Sequence, residues 1–157
     1  MTEEEKIKQE LEEKFAYLKD AVIIKRKGRV FAELPLDKFD EVFDYAIKQM
    51  RFSALSAITG MDKGEAFAVI YHLNREGKII LNLSVGLNKE NPAVKTVIPY
   101  FPGADIYERE MVDLLGIEVE GLAPGNRYPL PDNWPKDEHP LRKDWKGSTY
   151  NKEAQNA

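Results

Sequence analysis

The chain has 157 residues, of which 43% are hydrophobic and 32% charged, with a net charge of −4 at pH 7 and no cysteine. That length is one domain's worth, enough for a single core, and the acidic balance argues against a general nucleic-acid binder and against direct docking on anionic lipid. Without cysteine there is no disulfide, no thiolate metal site, no iron–sulfur ligation and no cysteine nucleophile.

No apolar run approaches the roughly 20 residues that a membrane helix needs. The start, Met1-Thr-Glu-Glu-Glu-Lys, is the reverse of a secretory signal. The expectation is a soluble, intracellular chain.

Residues 2–20 read as an amphipathic helix. Thr2 and Glu5 have capping-box spacing, and Ile7, Leu11, Phe15 and Leu18 share one face. Ala21 to Lys25 and Arg29 to Leu34 are β-rich runs joined by a Lys27-Gly28 turn. Asp37 to Arg51 repeats apolar residues at Phe39, Val42, Phe43, Ala46, Ile47 and Met50, a second helix with a broad apolar stripe.

Three strands follow at Phe52–Thr59, Ala66–Leu73 and Lys78–Val85. The last two alternate, with Phe67, Val69, Tyr71 and Leu73 on one face and Ile79, Leu81, Leu83 and Val85 on another. Such alternation indicates antiparallel strands with one packed face. Asn91-Pro92 predicts a short helix, stopped by Pro99 and Pro102. Ala104 to Leu115 is the last predicted helix, with Gly116 as its stop. The 41 residues after Gly116 carry five of the nine prolines and no sustained period. The fold class is α+β: a domain over residues 1–120 with an N-terminal helix and a mixed or antiparallel sheet packed by helices, then an extended tail over 121–157.

The familiar catalytic constellations are missing from the sequence. It has neither a glycine-rich phosphate loop nor a Gly-x-Ser-x-Gly elbow. His72 and His139 stand far apart, so a metal site would need carboxylates alone, and His72 is read as structural. The dense ionisable set is Asp105, Glu108, Arg109, Glu110 and Asp113. Helical spacing puts Asp105 and Asp113 each four residues from Arg109, so two carboxylates can flank one guanidinium. Carboxylates held ionised by a fixed arginine are poor general acids. A structural or interface cluster is the preferred reading over a free-standing carboxylate enzyme using Glu108, Glu110 and Asp113. The tail carries Tyr128, Trp134 and Trp145, residue types that disordered segments lack and interfaces favour, so it is expected to be ordered by contact.

The run Glu108-Arg109-Glu110-x-x-Asp113-Leu114-x-Gly116-Ile117 resembles the signature of the thirty-kilodalton subunit of respiratory complex I, a family that includes the matching subunits of energy-converting membrane-bound [NiFe] hydrogenases. Asn91-Pro92, Val97 and Pro102 resemble the approach to that motif. Arg127, Pro131-Asp132-x-Trp134 and His139-Pro140-Leu141-Arg142-Lys143-Asp144-Trp145 resemble the family's C-terminal pattern. Where the family usually has a Gly-His-Pro type segment, this chain has Gly121-Leu122-Ala123-Pro124-Gly125, a departure that fits the shorter archaeal hydrogenase-like or sulfur-reducing branch better than the NADH:quinone branch.

The resemblance implies a subunit with no cofactor and no chemistry of its own. It would lie on the cytoplasmic arm of an ion-translocating membrane complex, against a [NiFe]-hydrogenase-like large subunit. Iron–sulfur clusters, and in a hydrogenase a NiFe centre, would sit in partner subunits. On this reading Glu108, Arg109, Glu110 and Asp113 fix the junction between domain and tail, while Arg127, Trp134, Arg142, Lys143 and Trp145 anchor the partner. An NADH/quinone-type complex is the nearest alternative, and a transient assembly adaptor a further one.

Overall fold

The computed structural model describes residues 1–147. The last ten residues of the expected tail, 148–157, lie outside the described residues. Backbone contacts divide the chain into two units, one of residues 1–59 with 68–86, the other of 60–67 with the chain from Leu87 onward.

The first unit opens with α1 (Glu3–Lys14). Its capping box is complete, Thr2 Oγ1 accepting from Glu5 N and Glu5 Oε2 accepting from Thr2 N. Ile7 and Leu11 are buried, and a one-turn 3₁₀ segment over Ala16–Leu18 buries Leu18. Strands β1 (Val22–Arg26) and β2 (Arg29–Leu34) pair antiparallel through the expected turn. At Gly28 φ is +73° and an added Cβ would lie 2.7 Å from the carbonyl oxygen of Lys78, so only glycine fits. Helix α2 (Phe39–Lys48) buries Phe39, Val42, Phe43 and Ala46.

Strands β3 (Ala54–Asp62), β4 (Ala66–Arg75) and β5 (Ile79–Asn88) complete a five-stranded sheet in the order β1-β2-β5-β4-β3. The sheet is mixed, because β2 runs parallel to β5, Val30 opposite Leu81 and Ala32 opposite Leu83. Val30, Leu81, Leu83, Leu73 and Tyr71 are at most 1% exposed. The Tyr71 ring packs against Phe39 and Phe43 with centroids 4.5 and 5.6 Å away. Burying each such side chain contributes about 1.5–3 kcal/mol, which holds the helices to this face. The α+β reading stands.

In the second unit β6 (Ala93–Lys95) and β7 (Glu118–Glu120) pair in parallel, with α3 (Ala104–Leu115) as the connection between them. This corrects the sequence expectation of a short helix after Asn91-Pro92. That signal is local, whereas Val94 finds its partner in Val119 across the ladder, and β-branched Val94, Thr96, Val97 and Ile98 suit a strand better than a helix. The same pairing gives regular structure to Glu118–Glu120, which shows no period of its own. Helix α3 and its Gly116 stop agree with the sequence: Gly116 has φ +69° and its N–H donates to Val112 O, the single bond of an αL-type helix end, while Ile117 N donates to Met111 O.

Candidate functional site

Helix α3 and the segment from Leu122 to Lys146 form one hydrogen-bonded assembly, all within the second unit. A helix end leaves its last four carbonyls without intrahelical partners. Here Val112 O accepts from Gly116 N, and the tail supplies donors for the other three. His139 Nδ1 donates to Asp113 O at 2.8 Å, Leu141 N to Leu114 O at 3.0 Å, and Arg142 Nε to Leu115 O at 2.6 Å. The His139-Pro140-Leu141-Arg142 run is therefore a helix cap delivered from a distance, with a cation placed where the helix dipole is negative. Gly116 is its counterpart. A Cβ there would approach His139 Nε2 to 2.6 Å and Arg142 Nη2 to 2.7 Å.

The carboxylates of α3 divide the work differently from the sequence reading. Arg109 is engaged by Asp105 alone, its Nε 3.1 and 3.0 Å from the two oxygens, and its Nη2 also donates to Ala123 O at 2.9 Å. Asp113 does not flank Arg109. Its side chain, 7% exposed, accepts from Arg127 Nε at 3.0 Å and from Leu130 N at 3.1 Å. The i,i+4 spacing allowed either pairing; burial and two tail donors decide for Arg127. Arg127 Nη1 continues to Trp134 O at 2.6 Å, so one guanidinium ties helix, strap and tryptophan together.

Glu108, 1% exposed, faces the other way. It accepts from Thr96 Oγ1 and from Val97 N, each at 2.7 Å, and so fixes the end of β6 on the helix. Burial pushes its carboxyl above the usual range, against the pull of the Thr96 and Val97 donors. Glu110 is half-buried.

Trp134 and Trp145 pack against each other at a tilt, with centroids 6.2 Å and ring planes 37° apart. Both indole nitrogens donate to Glu138, to its carbonyl at 2.9 Å and its carboxylate at 3.3 Å. Lys143 and Asp144 are exposed, and Leu141 is 55% exposed although its backbone is pinned. Thus the expected site residues are brought together, but their first partners lie in this chain.

Sequence reasoning missed Asp62, which falls between the predicted strands Phe52–Thr59 and Ala66–Leu73. Its side chain, 1% exposed, holds Lys89 Nζ at 2.7 Å and accepts from Gly64 N at 2.8 Å and Lys143 N at 2.9 Å. Burial pushes its carboxyl up, but Lys89 and these backbone donors outweigh that and bring it down to about 2. The cations of Lys89 and Arg142 lie 5.1 and 5.2 Å from the centre of the Phe67 ring. Asp62-x-Gly64 was a visible local signal. Nothing near it in sequence announces Lys89 or Lys143.

An α+β chain whose last helix carries Glu-Arg-Glu-x-x-Asp and is capped by a Pro-Leu-Arg-Lys-Asp strap falls in the class of the respiratory-chain 30 Kd subunits. The chain belongs to the family described as respiratory-chain NADH dehydrogenase, 30 Kd subunit, whose model matches residues 32–151. It is 35% identical over 100 residues to the C subunit of an NADH-quinone oxidoreductase from Roseiflexus sp. (strain RS-1), covering 61% of this chain and 56% of that one. The chain thus spans about half the length of that curated relative. It is 30% identical over 122 residues to the C subunit of the F(420)H(2) dehydrogenase of Methanosarcina mazei, covering 76% of this chain and 77% of the other. In fold it is similar to a chain of the membrane-bound sulfane sulfur reductase, an archaeal respiratory membrane complex, with a TM-score of 0.83, 24% identity, and coverage of 99% of this chain and 93% of that one. Among the described residues no helix is long and apolar enough to cross a membrane.

Proposed function

We propose that this chain is a structural subunit in the cytoplasmic arm of a complex I-related, ion-translocating membrane oxidoreductase of the hydrogenase or sulfur-reducing type. It would dock on a [NiFe]-hydrogenase-like large subunit and hold no cofactor itself, while partner chains carry the iron–sulfur clusters and any NiFe centre. The observation that carries this reading is that the family match runs unbroken from the sheet through α3 and the strap. The strap is therefore part of the subunit's own build. Its backbone is held rigidly against α3 while Tyr128 and Leu141 stay exposed, which suits a surface preorganised for a large partner. The match over 76% of this chain and 77% of the Methanosarcina protein, with the fold likeness to the sulfur reductase chain, supports the archaeal branch.

The family's NADH-quinone members favour a second reading, a subunit of a quinone-reducing complex, because the Roseiflexus chain has the higher identity. A lone enzyme using Glu108, Glu110 and Asp113 is the weaker candidate, since Glu108 and Asp113 each already accept two hydrogen bonds.

Affinity purification of the tagged chain from membranes solubilised in mild detergent tests the proposal. A hydrogenase-like large subunit and iron–sulfur subunits should co-purify, and the electron acceptor that the preparation reduces, sulfur or quinone, separates the two readings. Elution of the chain alone, or its thermal stabilisation by Mg²⁺, Mn²⁺ or Ca²⁺, would count against both.

A further inference from the structure

In the first unit, the sheet face that carries Val30, Leu81 and Tyr71 is covered by helices. The opposite face carries Ile23, Phe31, Asn82, His72 and Thr59; Asn82 is buried there and Phe31 and His72 are half-buried. Ile23 is 52% exposed there. A groove of about 570 Å³ lies on this face, lined by Lys25, Arg26, Arg29, Phe31, His72 and Ile80 among others.

Three observations go beyond what folding requires. First, β1 has a register irregularity between Ile24 and Arg26. Strict alternation would send Lys25 and Arg26 to opposite faces; the bulge lets both line the groove, and bulges re-aim side chains in this way. Second, Arg26 and Arg29 are direct partners across the β1–β2 ladder. Like charges placed opposite one another destabilise a strand pair, and among the described residues no carboxylate pairs with Lys25, Arg26 or Arg29. Third, the floor is rigid and self-satisfied. Asn82 Nδ2 donates to Val30 O at 2.9 Å, which turns the amide oxygen toward His72 Nδ1 at 2.6 Å. Nδ1 therefore donates to that oxygen, and Nε2 lies in hydrogen-bond contact with the Thr59 hydroxyl at 2.8 Å.

We infer that this groove is a second docking surface, for an acidic segment of a partner polypeptide. Carboxylates of that segment would pair with Lys25, Arg26 and Arg29, and an apolar side chain between them would lie on Phe31 and Ile80. Charge complementarity selects this occupant: three cations without a paired carboxylate, Lys25 over the Phe31 ring at 5.6 Å and Arg29 Nη1 on Gly28 O at 2.8 Å among them, sit on a protein whose net charge is −4, so a short acidic segment is attracted locally while a long polyanion or an anionic bilayer is repelled by the rest. The surface is additional to the strap and does not depend on which complex the chain joins.

The test places the photo-crosslinking residue p-benzoylphenylalanine at Ile23 in the full chain, in cells that make the whole complex, with the same residue at Leu141 as a separate probe of the strap. The Ile23 probe should crosslink to an Asp- or Glu-rich peptide of another subunit, and the yield should fall at least tenfold in R26E/R29E. The milder R26Q/R29Q, checked for an unchanged melting temperature, should fall in the same direction. Charge reversal in the captured peptide should restore the yield with R26E/R29E. Crosslinks from Ile23 to lipid, nucleic acid or a second copy, no crosslink from Ile23 while Leu141 captures the large subunit, or a yield indifferent to charge would each overturn the inference. Of these, the Leu141-only result would leave the proposed function standing.

Discussion

At the scale of single residues, two arginines on the same assembly have very different consequences. Arg109 pairs with Asp105, whose side chain is 47% exposed, so water can replace the arginine. Arg127 pairs with Asp113, which is 7% exposed. Removing one partner of a buried pair leaves a desolvated charge, at about 3–5 kcal/mol, whereas a solvated pair contributes about 0–1 kcal/mol. Arg127→Ala should therefore destabilise the chain by several kcal/mol and Arg109→Ala by roughly 1 kcal/mol, part of that from the lost bond to Ala123 O. Urea titrations of the two variants decide the point. Equal losses would mean that Asp113 finds water or another donor when Arg127 is gone.

At the scale of elements, α3 is fixed at both ends by groups of opposite character. Near the β6 end the anchor is the carboxyl of Glu108, and at its C-terminus the cap is delivered by the tail. Glu108→Ala would leave Val97 N–H buried without an acceptor and should cost about 1–3 kcal/mol. Glu108→Gln can keep both contacts, its oxygen accepting from Val97 N and its amide donating to Thr96 Oγ1, and should cost less than the alanine. The pH dependence is distinctive. Because burial raises this carboxyl in the folded state, the folded chain keeps the proton to higher pH than the unfolded chain. Stability contributed by Glu108 is thus greatest at acid pH and falls as pH rises from its ordinary value of 4.5 through the raised one. Glu108→Gln should remove that decline; a decline unchanged in the glutamine variant would assign it to another group. Much at this scale was legible in the sequence. The capping box of Thr2 and Glu5, the stripe of α2, the alternation of β4 and β5 and the Gly116 stop are local patterns, and local patterns determine such elements. What was not legible depends on long-range partners: β6 became a strand because β7 lies across from it, and Asp113 turned from Arg109 because Arg127 and Leu130 reach it from the tail. The motif residues were readable as a set, but their division into a cap, a buried pair and a strand anchor follows from burial, which spacing does not report.

At the scale of the whole molecule, two of the contacts that hold the strap differ in their sensitivity to acid. Asp62 fixes Lys143 through a carboxylate brought down to about 2 from its ordinary 3.8. A depressed carboxylate contributes stability that is present above its unfolded value and lost as pH falls through the folded one, here between about 4 and 2. The amide of Lys143 should lose hydrogen-exchange protection across that window, and Asp62→Asn should lose it already at neutral pH. The bonds of Leu141 N–H and the Arg142 guanidinium to neutral helix carbonyls have no such dependence in that window.

Truncation after Gly121 then separates what the strap does for its own chain from what it does for a partner. The cut removes the donors to Asp113, Leu114 and Leu115, yet it also uncovers Asp113, so that carboxylate is solvated rather than buried unpaired. Its cost should be smaller than that of Arg127→Ala with the strap in place, falling on the last turn of α3 and on Asp62, which loses the Lys143 N–H, while the hydrophobic core of the first unit, with Leu11, Val30, Phe43 and Leu81 at most 1% exposed, is untouched. The truncated chain should keep its far-ultraviolet circular dichroism and a cooperative melt, show fast amide exchange at Gly116 and Ile117, and no longer recover the large subunit from detergent extracts. A truncated chain that melts without cooperativity would show that the strap belongs to the fold first. One that still recovers its partner would move the docking function off the strap and onto the rest of the domain.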